Sequence, residues 1–430
     1  MLKELSKLTG ANIVSVLAAI FQILFFATVL TQEQYGYASY LVAISIIISA
    51  VGSENVRITI LRGKISNFAK SIVYSCAIIF VFCTAAQIFV LDEAKWMIFI
   101  TLLVTSITQA FVIIIKALFT TVGAISTLSR SMIISVTFAV PLSVLTTLFY
   151  TGDFSLLLFY LYNGSLFLLI TCTSTVKNLK RIRLSQNNVA TPENRLQYLA
   201  NSAMGITLVQ SPIILGNAFL SPQMLGVFAL SLRIIEITLR LPVTIINTIL
   251  ASNFNKSPDG ESYIDYFSKV LKVFMLYIIS GTFVLLCTRK LNPGINEKID
   301  AAIAQFDAMA LIHLMLGFSA LLFQHYLLLG KLRIILLMNA ARIMLLLFFL
   351  NFNQISEIFS QTIISYVILD TILCYMFLGL RKNAAVLIIL NVFSLCFLEL
   401  GLISVIHVIL MNIVVYLSVS YGARKNFYAL

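Results

Sequence analysis

The chain has 430 residues, 60% of them hydrophobic and only 11% charged, with a formal net charge of +12. Soluble domains run nearer ~45–50% apolar and ~25% charged, so a surface facing mainly water is excluded and lipid is the solvent for most of this chain. In a soluble protein such a charge would suggest nucleic acid; here the placement of the 29 Lys and Arg gives it another origin.

A helix needs about 20 residues to cross ~30 Å of hydrocarbon. Residues 11–31 satisfy this first. Their charged start and apolar run resemble a signal peptide, but the run reaches Thr31 without an A-x-A site, so it reads as an uncleaved helix. Further spans are predicted at 37–57, 71–91, 96–116, 131–150, 155–176 and 200–220, then at 226–250, 270–288, 303–329, 332–350 and 356–380. The block 384–421 is long enough for a hairpin around Glu399 and Gly401. The expected fold is all-α, a polytopic transmembrane bundle of about 14 helices with 12 as the alternative. It divides into an N-terminal six-helix lobe (1–176), a hydrophilic linker (177–199), a C-terminal six-helix lobe (200–380) and a helical hairpin (381–430). All six cysteines lie in apolar stretches with no CxxC, as small buried hydrophobes do.

With the N-terminus inside, 22 of the 29 Lys and Arg fall in inner segments, four in outer loops (Lys95, Arg289, Lys290, Lys298) and three within spans (Arg233, Arg240, Arg342). The positive-inside rule therefore places both termini in the cytoplasm. Most of the +12 belongs to topology, and no nucleic-acid partner is needed.

Helix one ends Leu30-Thr-Gln-Glu-Gln-Tyr-Gly36, and helix seven ends Leu220-Ser-Pro-Gln-Met-Leu-Gly226, at an offset of 190. Both are short outer turns. Because both halves start inside, such a repeat is parallel, with its axis along the membrane normal and a cavity between the halves as the transport path.

The L-[TS]-x-x-x-[YL]-G turn, the helix end Val51-Gly-Ser-Glu-Asn-Val-Arg57 before a basic loop, and Leu329-Gly330-Lys331 followed by Asn339 resemble the polysaccharide transporters, the O-antigen flippases. These motifs span helices one to twelve. The resemblance implies the fold of the multidrug/oligosaccharidyl-lipid/polysaccharide exporter superfamily. It implies a flippase that moves an undecaprenyl-pyrophosphate-linked oligosaccharide, such as an O-antigen repeat unit of lipopolysaccharide, from the cytoplasmic to the periplasmic leaflet of the bacterial inner membrane. The expected partners are that lipid-linked glycan, the bilayer, and a glycan polymerase and chain-length regulator. Some lipid-flipping relatives carry a basic residue in the first helix; here that helix offers only Asn12 and Gln22 as strongly polar side chains.

Charge at membrane depth costs roughly 2.5–3.5 kcal/mol per residue at a helix centre, so Arg233, Glu236 and Arg240 in helix eight mark a face turned to a cavity or partner. Glu236 can pair with either arginine, leaving one positive charge to bind a pyrophosphate. Arg342 and Asp370 reach mid-depth in helices eleven and twelve. Substrate contacts are assigned to Arg233, Arg240, Arg342, Arg57 and Gln210, and ion coupling to Glu236 and Asp370, since a desolvated acid holds its proton more tightly. Gln109 and Asn163 also suit a glycan. Pro141, Pro212 and Pro242 predict kinks. No cofactor or metal is expected, and neither G-x-x-x-x-G-K-[ST] nor H-E-x-x-H occurs. The alternatives are a multidrug cation antiporter of the same superfamily and a membrane glycan polymerase. The polymerase is disfavoured because the longest outer loop, 289–300, is about a dozen residues.

Overall fold

The structure, a computed structural model, describes residues 2–61, 68–89, 96–122, 124–149, 155–183 and 195–237, the helix Glu297–Ala304 and scattered positions between 243 and 344. All regular structure among them is helical: α1 (Leu2–Val29), α2 (Gln32–Leu61), α3 (Phe68–Phe89), α4 (Trp96–Val122), α5 (Ile125–Phe149), α6 (Ser155–Arg183), α7 (Arg195–Phe219), α8 (222–237) and α9 (Glu297–Ala304). The fold is all-α, and the spans Gln32–Glu54, Lys70–Ile88, Trp96–Val122, Ile125–Phe149 and Ser155–Cys172 are long and apolar enough to cross a membrane. The C-terminal hairpin predicted at 384–421 lies outside the described residues.

Several helices run past their apolar windows. The span predicted at 37–57 belongs to the 30-residue α2, and α6 and α7 reach into the predicted linker as far as Arg183 and from Arg195. Hydropathy marks the part that lipid can dissolve, whereas a helix ends where its free backbone groups find other partners.

The α1–α2 turn shows how. The Gln34 N–H donates to Thr31 Oγ1 and the Thr31 N–H donates to Gln34 Oε1, both at 3.1 Å. This is a capping box, which satisfies two orphan donors at once. At the start of α8, Ser221 Oγ accepts the Met224 N–H at 3.3 Å, and Pro222, whose missing N–H costs nothing there, opens the helix. The backbone bonds repeat too. Leu30 N–H to Phe26 O and Tyr35 N–H to Thr31 O, both 2.9 Å, recur as Leu220 to Gly216 at 2.8 Å and Leu225 to Ser221 at 2.9 Å. Every donor and acceptor is displaced by 190 residues, so the sequence repeat is a repeat of structure.

The chain forms two compact units, Met1–Leu230 and Ser231–Leu430. In the first, α2 is the central helix, packed against α3, α4, α6 and α7, while α1 packs on α5 and α5 on α6. Its composition suits that place: Gly36, Ala38, Ser39, Ala43, Ser45, Ser49, Ala50, Gly52 and Ser53 are small and buried, which lets backbones approach. Helix α3 does the opposite and exposes Val73, Tyr74, Phe80, Val81, Phe82 and Ile88, the large apolar side chains a lipid-facing helix needs.

Register follows from polar contacts. Ser45 Oγ lies 3.2 Å from Ser106 Oγ, and Thr121 Oγ1 donates to the Ile60 carbonyl at 3.4 Å. Both pairs are separated by 61 residues, so α2 and α4 run parallel. Val56, Ile60, Ile114, Ala117 and Leu118 fill the seam between them. A second cluster, Val112, Ile115, Phe119, Leu128 and Phe167, joins α4, α5 and α6. Pro141 does not interrupt α5. In the second unit the buried Ser231 hydroxyl donates to the Ala302 carbonyl at 2.8 Å, tying the end of α8 to α9.

Candidate functional site: a buried ion pair and a belt of polar side chains

Arg233 stands eleven residues into α8, about 16 Å from its start at 1.5 Å per residue. Its Nη1 donates to Glu236 Oε2 at 2.7 Å, an i,i+3 pair along one face of the helix. The partners differ in exposure: the Arg233 side chain is 7% exposed, that of Glu236 32%. Of the two choices open to Glu236, then, the described residues show Arg233. Arg240, Arg342 and Asp370 lie outside the described residues.

A second ion pair closes the other end of α2. Arg57 Nε donates to Glu54 Oε2 at 2.6 Å while its Nη2 bonds Glu54 Oε1, a bidentate fork. Here the guanidinium is the more exposed partner, 28% against 8% for Glu54. On α4, Lys116 Nζ stands 5.7 Å from the Phe167 ring centroid, a cation–π contact.

In the first unit, a set of polar side chains shares one depth. Gln22, Ser39, Thr105, Asn163 and Gln210 sit seven to nine residues from the helix ends Val29, Gln32, Trp96, Ser155 and Phe219 respectively. That is about 10–14 Å. Gln22 Nε2, Ser39 Oγ, Thr105 Oγ1, Asn163 Oδ1 and Gln210 Oε1 are buried with no hydrogen-bond partner among the described residues. Each such group costs roughly 1–3 kcal/mol, so a belt of them calls for water or a polar ligand.

The sequence singled out Asn163 and Gln210 as side chains that suit a glycan and noted Gln22 only as a strongly polar side chain of the first helix. It missed Ser39 and Thr105, because a lone hydroxyl barely lowers the hydropathy of a window. Gln109, read as a sugar ligand, is committed to packing: its Nε2 donates to the Tyr160 carbonyl at 2.7 Å, joining α4 to α6.

The chain aligns with solved structures over nearly its whole length. A MATE transporter of Vibrio cholerae, VcmN, matches with TM-score 0.55 and 13% identity, over 89% of this chain and 98% of that one. The fold is that of the MATE transporters. The MATE multidrug transporter DinF-BH, solved in complex with a ligand, matches with TM-score 0.56 and 16% identity over 90% and 96% of the two chains. The outward-facing form of a multidrug resistance MATE family transporter of the MOP superfamily matches with TM-score 0.54 and 13% identity over 92% and 96%. No protein-family model and no curated protein sequence matches the chain. At these identities the likeness is one of fold, and the MATE architecture accounts for the apolar helices without saying what passes between them.

Proposed function

We propose that the chain is a multi-pass membrane transporter of the MATE fold that works by alternating access. The observation that carries this reading is the match of about nine-tenths of the chain to MATE structures. A charge pair at mid-depth supports it, since charge is placed there for a substrate, an ion or a partner. The cargo is first read as an organic cation, exported against protons or another ion. Two neighbours are described as multidrug transporters, and at mid-depth the more exposed partner is the acid, Glu236.

The second reading is an undecaprenyl-pyrophosphate-linked oligosaccharide, moved to the outer leaflet. It is favoured at the basic end of α2, where Arg57 is the more exposed partner and can offer a diphosphate a bidentate fork. In either case Arg233 and Gln210 are assigned to substrate, and so are Arg240 and Arg342 outside the described residues. Glu236 and Asp370 are assigned to coupling. Both termini are placed in the cytoplasm on the strength of the basic inner segments.

Purified protein in proteoliposomes decides between them. Under an imposed proton gradient, uptake of a fluorescent organic cation that is lost in Glu236→Gln and kept in Arg57→Ala supports the antiporter. Translocation of a lipid-linked oligosaccharide that is lost in Arg57→Ala supports the flippase. If the protein moves neither cargo, both readings fail.

A further inference from the structure

We infer that the polar belt of the first unit is one site for an uncharged, hydroxyl-bearing group, and that no ion is bound at its level. The inference rests on the transporter reading and, of its two cargoes, on the glycan: it gives the sugars to Gln210 and the rest of the belt.

The belt's hydroxyls are held back from partners within their reach. In a helix, a threonine or serine can donate to the carbonyl three or four residues back. On α4, Thr101 and Thr120 donate in this way to Met97 and Lys116, at 2.7 and 2.8 Å, and on α2 Ser49 donates to Ile46 at 3.0 Å. Thr105 and Ser39 stand on the same two helices and are fully buried, yet their hydroxyls have no partner among the described residues. Gln22 and Gln210 are as enclosed, and each leaves one amide atom unbonded among the described residues.

These groups are neighbours by topology as well as by depth. Helix α2 packs on α4, α6 and α7, so Ser39, Thr105, Asn163 and Gln210 stand on one set of touching helices. Along the α4–α6 seam Gly164 comes up against Thr108, which puts Thr105 and Asn163 within about one helical turn of a common level.

Charge is kept away from that level. Every Asp and Glu of residues 1–230 lies at or beyond the end of an apolar stretch. Glu54 stands 22 residues along α2 from Gln32, about 33 Å. On α4, Lys116 stands 20 residues from Trp96, about 30 Å. An ion of either sign at the belt would therefore lack a counter-charge. A hydroxylated ring would lack nothing. Gln22 Nε2 offers a donor, Asn163 Oδ1 and Gln210 Oε1 offer acceptors, and the two hydroxyls can do either.

The test weighs the sugar by itself. Purified full-length protein is offered an equimolar mixture of undecaprenyl pyrophosphate and the same lipid bearing a neutral oligosaccharide, and native mass spectrometry reads which is bound. The two lipids share every charge, so their ratio reports the glycan alone. The glycosylated lipid is expected to be favoured at least about tenfold, and Thr105→Val and Gln210→Leu are each expected to cut that preference roughly three- to tenfold, the worth of one hydrogen bond. Gln109→Leu, whose amide is spent on the Tyr160 carbonyl, should leave the preference unchanged. So should a shift from about pH 8 to about pH 6, because no belt side chain titrates there. Without ligand, Thr105→Val and Gln210→Leu should hold or raise Tm, since each removes a buried group that lacks a partner. Equal binding of the two lipids, binding of neither, an equal fall in the Gln109 control, a preference that moves with pH, or a lower Tm in both belt variants overturns the inference. Organic-cation uptake by the same variants in proteoliposomes is a separate measurement, and its persistence would leave the transporter reading standing while the sugar site fails.

Discussion

A guanidinium only 7% exposed inside an apolar helix bundle needs its counter-charge more than the counter-charge needs it. Removing one partner of a fully buried pair costs about 3–5 kcal/mol, and the 32% exposure of Glu236 lowers the expected cost of Glu236→Gln to roughly 1–3 kcal/mol. That loss should appear as a lower Tm in detergent. Because the cost comes from the stranded charge, the double variant Arg233→Gln with Glu236→Gln should recover at least about half of it; a double variant as unstable as the single would show that the pair is not what holds Arg233. Thr31 carries a smaller share. Thr31→Ala removes the acceptor of its capping box and is expected to cost about 1 kcal/mol, again read as Tm, whereas the exposed Thr28, whose hydroxyl bonds the Phe25 carbonyl of its own helix, should tolerate alanine. The charges were legible in the sequence because a charge in an apolar run is a local signal; the cap was not read, although T-x-x-Q before a helix is local too. Which arginine Glu236 would choose was not, since i,i+3 and i,i+4 are both within reach on a helix.

At the scale of helices, packing is decided by small residues that hydropathy ranks as unremarkable. Gly164 on α6 faces Thr108 on α4 so closely that a Cβ would stand 2.6 Å from its Cγ2. Gly164→Ala should therefore destabilise by roughly 1–3 kcal/mol, as overpacking does. Thr108→Ser removes the clashing methyl and keeps the hydroxyl, so the double variant should regain most of the loss, and a double-mutant cycle with no coupling would contradict the contact. Helix boundaries show the same limit. The apolar window of α2 was predicted at 37–57, yet the helix spans Gln32–Leu61, and its start is set by the Thr31–Gln34 capping box and not by hydropathy. Nor did hydropathy distinguish α2 from α3. Both are apolar enough to span a membrane, but one is buried in the first unit and the other faces outward, a difference carried by side-chain size.

For the whole molecule, the all-helical, multi-pass architecture follows from composition, and charge placement gives an expected sidedness. Sidedness is directly testable. With the native cysteines removed, Glu33→Cys, on an exposed residue beside the α1–α2 turn, should react with an impermeant maleimide in intact cells. Lys180→Cys, near the end of α6, should react only after permeabilisation. The reverse pattern would turn the whole topology over.

Alone, the sequence determined that the chain lies in a membrane, that it is helical, that a turn recurs at an offset of 190, and that a few charges at depth need explaining. Each follows from a local cost: desolvation of backbone, of charge, or of a helix end. Only the tertiary structure decided that Gln109 is spent on the Tyr160 carbonyl, that Ser45 meets Ser106, and that Gly36 comes up against the backbone of Gly226. Those outcomes depend on which helices become neighbours and in what register. That choice is made by contacts between residues tens to hundreds of positions apart, where no local cost is visible.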